Sequence, residues 1–203
     1  MVNPWLPAPA IEEPSEAPAE QLPPAARVSG PQAGVVAADA LPTVKHFSAP
    51  ALWVVGTHGG SGESLLAQLR EGWAPGGHAW PEQQYSNRAA RVLLACRGSA
   101  HGLNSARAAA MQWAAGKSPT VELIGLVVVA DAPGRAPKPL RDLAALVGGG
   151  VPRLWHVPWI EAWRLGAPVD HANPPRETAR LLNDLDLIFN PGTPGATAER
   201  TPR

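Results

Sequence analysis

The residues Leu52 to Leu66, LWVVGTHGGSGESLL, constrain the fold more than any other stretch of the chain. A short apolar run, a glycine-rich turn and the start of an amphipathic pattern read as strand, loop and helix. That order matters chemically. Backbone N–H groups in such a loop, together with the free N–H groups of the helix that follows, form an anion-binding concavity. Gly59, Gly60 and Gly62 let the backbone turn left-handed and approach a ligand closely. His58, Gly59, Gly60, Ser61, Gly62, Glu63 and Ser64 are therefore the first candidate site.

A competent phosphate loop, G-x-x-x-x-G-K-[ST], adds a lysine that reaches the β/γ phosphates and a hydroxyl that holds Mg²⁺. Here the later glycine and Ser64 are present, but Glu63 stands at the lysine position and Thr57 at the first glycine position. A unit charge pair at about 4 Å is worth about 4 kcal/mol at an effective dielectric of 20, so this exchange turns attraction into repulsion. The carboxylate itself suits the first turn of a helix, where the dipole favours it by roughly 0.3–1 kcal/mol. Glu63 is expected to fill the space of a phosphate, with Arg97 or Arg135 as its partner.

The run His58-Gly59-Gly60-Ser61-Gly62-Glu63-Ser64 resembles the deviant Walker A motif of the ParA/MinD superfamily, K-G-G-x-G-K-[ST], with both lysines replaced. RVLLACRGSAHGL, ELIGLVVVADAPGR and RLWHVPW resemble the later strands of those proteins, so the likeness covers roughly Ala51 to Gly166. The span is still more similar to a DUF6668-like family of actinobacterial proteins found near conjugation genes, in which a loop reading HGGxGES recurs. The resemblance implies a P-loop NTPase-like fold and a conjugation or plasmid-maintenance setting. It implies protein partners, with a membrane-associated secretion or conjugation machine and a homodimer as candidate assemblies. If a nucleotide binds, it implies ATP with Mg²⁺ and Ser64 as the metal contact; otherwise it implies neither cofactor nor metal. Trp73 to Arg91 is shorter than the superfamily region that carries the switch elements and the magnesium-associated aspartate.

Taken in order, the chain begins with a segment to about Pro50 that holds ten prolines, many alanines and almost no periodic apolar pattern. Such a composition buries too little surface to offset the entropy of ordering, so residues 1–50 are expected to be a disordered tail. The folded domain is then 51–189, and the Pro/Gly/Thr stretch 190–203 a second disordered tail. Strands are expected at Ala51 to Gly56, Val92 to Cys96, Leu123 to Ala130 and Arg153 to Val157. The helix after the glycine loop should reach Gly72, and Trp73 to Arg91 reads as a surface connection. Further helices are expected from Gly102 to Ala115, from Pro137 or Pro139 to the triple glycine at 148, and from Pro175 to Phe189. Strands alternating with helices predict a three-layer α/β/α domain around a mainly parallel sheet of about four to five strands.

In such sheets ligands bind at the carboxyl ends of the strands. That edge should collect the glycine loop with Arg97, His101, Asp131 and Arg135. Asp131 superficially resembles a Walker B carboxylate, and it equally suits a turn cap before Pro133. Trp155, Trp159 and Trp163 read either as a partner platform or as core under the last helix.

Seventeen basic and seventeen acidic residues leave no net charge, so no broad nucleic-acid or membrane footprint is present. No apolar run is long enough to span a bilayer and no signal peptide is visible. The single Cys96, inside an apolar run, fits a buried thiol in a reducing cytoplasm. The six histidines show no zinc spacing, so no metal is expected. Two functional readings follow: a non-catalytic, pseudo-ATPase binding or scaffolding domain, and an atypical ATP-binding NTPase.

Overall fold

Apolar runs with no polar face must be covered on both sides, and they set the architecture. The computed structural model describes residues 40–190. It opens with β1 (Thr43–His46), β2 (Leu52–Gly56), α1 (Glu63–Ala67), β3 (Trp73–Pro75) and β4 (Trp80–Gln83). Then come β5 (Ala90–Arg97), α2 (Ala100–Ala114), β6 (Val121–Val129), α3 (Lys138–Gly148), β7 (Leu154–Val157), α4 (Glu161–Arg164) and α5 (Ala179–Phe189). Five parallel strands form the central sheet in the order β3-β2-β5-β6-β7. Every residue of β2 is buried, as its sequence requires.

Helices cover both faces, giving the three-layer α/β/α arrangement. On one face Leu103, Ala106 and Ala109 of α2 and Ala144 and Val147 of α3 pack on Val55, Leu94, Cys96 and Val128. On the other, Leu66 of α1 and Leu181, Leu182 and Leu185 of α5 pack on Val54, Leu93, Val127 and Trp155. From β2 the chain crosses to β3 on one side, whereas from β5 it crosses to β6 on the other. The connections therefore part between β2 and β5, which makes a crevice at the carboxyl edge.

Three expectations require correction. The domain does not start at residue 51: Leu41 is buried, and β1 pairs in parallel with β4 in a small second sheet. Gln112 of α2 is the reason. Its Oε1 accepts from the Leu41 N–H at 2.9 Å and from Trp80 Nε1 at 3.0 Å, and its Nε2 donates to the Leu41 carbonyl at 2.8 Å. The expected tails at 1–39 and 191–203 lie outside the described residues. Next, the stretch read as a surface connection contains β3 and β4, and Trp80 is fully buried. Finally, α1 stops at Ala67 instead of near Gly72, and α5 is entered through a 3-10 turn at Arg176–Thr178.

Cys96 sits inside β5, where burial pushes its thiol up to about 12. Trp155 is buried under α5, and its Nε1 donates to Asp184 at 2.9 Å.

Candidate functional site

The glycine loop follows β2 at the crevice between β2 and β5. Gly60 and Gly62 adopt the left-handed conformation, with φ of 75° and 93°. Gly62 caps α1 without a side-chain bond, and Glu63 is the first residue of the helix. The Glu63 side chain is only 13% exposed. One carboxylate oxygen accepts a short hydrogen bond from the hydroxyl of the fully buried Ser61. The other lies 3.6 Å from Nε2 of His78, in the turn between β3 and β4. A Cβ on Gly56 would come within 2.8 Å of Glu63 Oε2 and 2.9 Å of the His78 ring. The carboxylate is thus folded back over the end of β2, inside the loop.

The expected partnership of Glu63 with Arg97 or Arg135 is therefore incorrect. Arg97 directs two of its five guanidinium donors to carbonyls: Nε donates to Gly60 at 2.9 Å and Nη1 to Ala130 at 3.1 Å, at the end of β6. The side chain ties the loop across the crevice to the next strand but one. His58 is fixed from two sides. Its Nε2 accepts the Arg97 backbone N–H at 3.0 Å, and its Nδ1–H donates to the Gly59 carbonyl at 2.8 Å. These partners assign the neutral Nδ1–H tautomer. His101, on the first turn of α2, meets the His58 ring edge-on at 5.3 Å between centroids.

The space left beside the loop is small. A cavity of about 120 Å³ is lined by Gly62, Leu65, Arg97, Ala130, Trp159 and Trp163. Organic-ligand pockets run to roughly 300–1,000 Å³.

The family described as "Family of unknown function (DUF6668)" matches residues 50–180, which include the loop, the crevice and every candidate residue named from the sequence. The chain belongs to the DUF6668 family. Neither a curated protein nor a solved structure matches it. The DUF6668 match begins after β1 and ends at the start of α5.

In this DUF6668 chain the candidate residues divide into three groups. His58, Gly59, Gly60, Ser61, Gly62, Glu63, Arg97 and His101 gather at the loop. Ser64 is exposed on the outside of α1, and its carbonyl accepts from Gln68 Nε2 at 3.1 Å. Asp131 and Arg135 are exposed in the segment between β6 and α3, where they line a separate groove on the α2/α3 face. That segment belongs to the carboxyl edge, as expected, but not to the loop. His78 was not found by sequence reasoning. No local signal marks it, because its role depends on β3 pairing beside β2. No described helix is long and apolar enough to cross a membrane.

Proposed function

We propose that this chain is a degenerate, ParA/MinD-like P-loop domain that acts as a non-catalytic binding or scaffolding protein. The reading rests on one observation: the carboxylate of Glu63 is tucked against Ser61 and His78 where an anionic ligand would need a cation. Arg97, which reaches the loop, directs two of its five donors to the Gly60 and Ala130 carbonyls, so it is held as a tie between loop and sheet. Phosphoryl transfer depends on positioned positive charge and metal, and neither lysine of the ParA/MinD motif is present. The loop then serves as a rigid turn that fixes the crevice and the elements around it. A conjugation or plasmid-maintenance setting, a protein partner such as a secretion machine or a second copy, and a cytoplasmic location belong to the same proposal.

A second reading, an atypical NTPase binding ATP with Mg²⁺, draws on the retained left-handed glycines and the exposed Ser64. Calorimetry with ATP and Mg²⁺ separates the two. The scaffold reading expects no heat of binding for the wild type and no phosphate release above a Ser64→Ala control. Glu63→Lys, which removes the repulsion and supplies the missing cation, is expected to gain measurable binding without turnover. Wild-type binding in the micromolar range would reject the scaffold reading in favour of the NTPase.

A further inference from the structure

A groove of about 840 Å³ lies at the carboxyl edge of the sheet, on the face opposite α1. Val128 of β6, Leu154 of β7, Leu140 of α3 and Pro133 give it an apolar wall. Its volume falls within the roughly 300–1,000 Å³ of organic-ligand sites, which are largely apolar with a few polar groups. It lies by the carboxyl ends of β6 and β7, away from the crevice between β2 and β5.

The polar groups at the rim have a sign. Arg135 and Arg141 line the groove against a single acid, Asp131. Among the described residues no carboxylate lies within 4.0 Å of either arginine. Arg141 gives one donor to the Ala136 carbonyl at 2.7 Å, which stiffens the segment before α3. Gly98, Ser99 and Ala100, at the start of α2, also line the groove and bring no acidic side chain to it. An apolar trough with a cationic rim fits a molecule that is apolar along its body and negative at one end.

We propose that this groove binds a small organic acid, a free monocarboxylate with an aliphatic or aromatic body, whose carboxylate pairs with Arg135. An organic cation would face the two arginines. An added peptide strand is disfavoured because the edge strand β7 is short and lies between Pro152 and Pro158, a pattern that blunts strand addition. His156, which also lines the groove, is held towards its neutral form and adds an uncharged polar group. The site is separate from the glycine loop, so it stands or falls independently of the scaffold role.

The test uses the full chain and decanoate in isothermal titration calorimetry, with decylammonium as the charge-reversed probe. The expected result is one saturable decanoate site per chain, no saturable decylammonium binding, and about tenfold weaker decanoate binding in Arg135→Glu. Ala145→Trp, at an exposed position of α3 that lines the groove, should fill the trough and abolish binding. Ala145→Leu replaces it if the tryptophan variant fails to fold by circular dichroism. The proposal is overturned if decanoate shows no saturable binding, if decylammonium binds equally well, or if the folded Ala145 variant binds decanoate like the wild type.

Discussion

Nε2 of His78 lies 3.6 Å from a carboxylate oxygen of Glu63, joining the turn after β3 to the first residue of α1. The pair closes the glycine loop from the side of the sheet's edge strand. Because the Glu63 carboxylate is mostly shielded and also accepts from Ser61, its removal leaves a buried hydroxyl without its acceptor. Glu63→Ala is expected to cost about 1–3 kcal/mol of stability, and Glu63→Gln less, because the amide oxygen can still accept. His78→Ala, whose ring is 47% exposed, should cost only about 0–1 kcal/mol. Urea denaturation midpoints check the order. Equal losses at Glu63 and His78 would contradict it.

Gly102 and Gly59 make a matched comparison. A Cβ at Gly102 would run into the Arg97 carbonyl oxygen and stand 2.7 Å from His58 Nε2, whereas one at Gly59 meets nothing within 4 Å. Backbone cannot retreat as a flexible side-chain end can. Gly102→Ala is expected to destabilise by roughly 1–3 kcal/mol despite alanine's better helix propensity. Gly59→Ala should stay within about 0.5 kcal/mol of the wild type. Thermal melts of both variants decide the matter.

Gln112 holds three groups that belong to distant parts of the chain. In Gln112→Ala the indole N–H of the fully buried Trp80 loses its acceptor, at a cost of about 1–3 kcal/mol. The loss should be local as well as global. Hydrogen exchange at the Leu41 amide and tryptic cleavage at Lys45 are expected to accelerate before the rest of the domain opens. Unchanged exchange at Leu41 would show that the clamp is not what fixes this segment.

His156 supplies a pH dependence with a definite sign. Partial burial, and then the Arg180 guanidinium, lower its pKa below the ordinary 6.5. As pH falls through about 6.5 the unfolded chain takes up a proton that the folded imidazole resists, so the contribution to stability is complete above that pH and declines below it. His156→Gln should lose less stability than the wild type between about pH 7 and pH 5. Arg180→Gln should move the His156 titration upward in an NMR experiment, towards the ordinary value but not fully to it, because burial remains.

The central sheet was legible because β2, β5 and β6 are runs whose apolar residues leave no polar face, and such runs have few ways to be satisfied. The glycine loop and its place at the strand ends were legible for a similar reason: the chemistry is contiguous in sequence. β1 and β4 were not. Their place in the fold depends on Gln112, which holds the distant Leu41 and Trp80, and neither strand carries an alternating pattern of its own. The partner of Glu63 was misread for the same physical reason. Arg97 does arrive at the loop, as the strand order requires, but it points to the carbonyls of Gly60 and Ala130, while the Glu63 carboxylate folds back to Ser61 and His78.

The family match and the closed fold have different limits. The match covers residues 50–180, whereas Leu41 at one end and Leu181, Leu182 and Leu185 at the other seal the sheet on opposite faces. A fragment trimmed to the shared span would uncover aliphatic surface front and back at once. It should be sticky and poorly soluble for reasons unrelated to its function, and assays made on it would report that adhesion as binding. The span that recurs in the family is therefore shorter than the span that must be expressed.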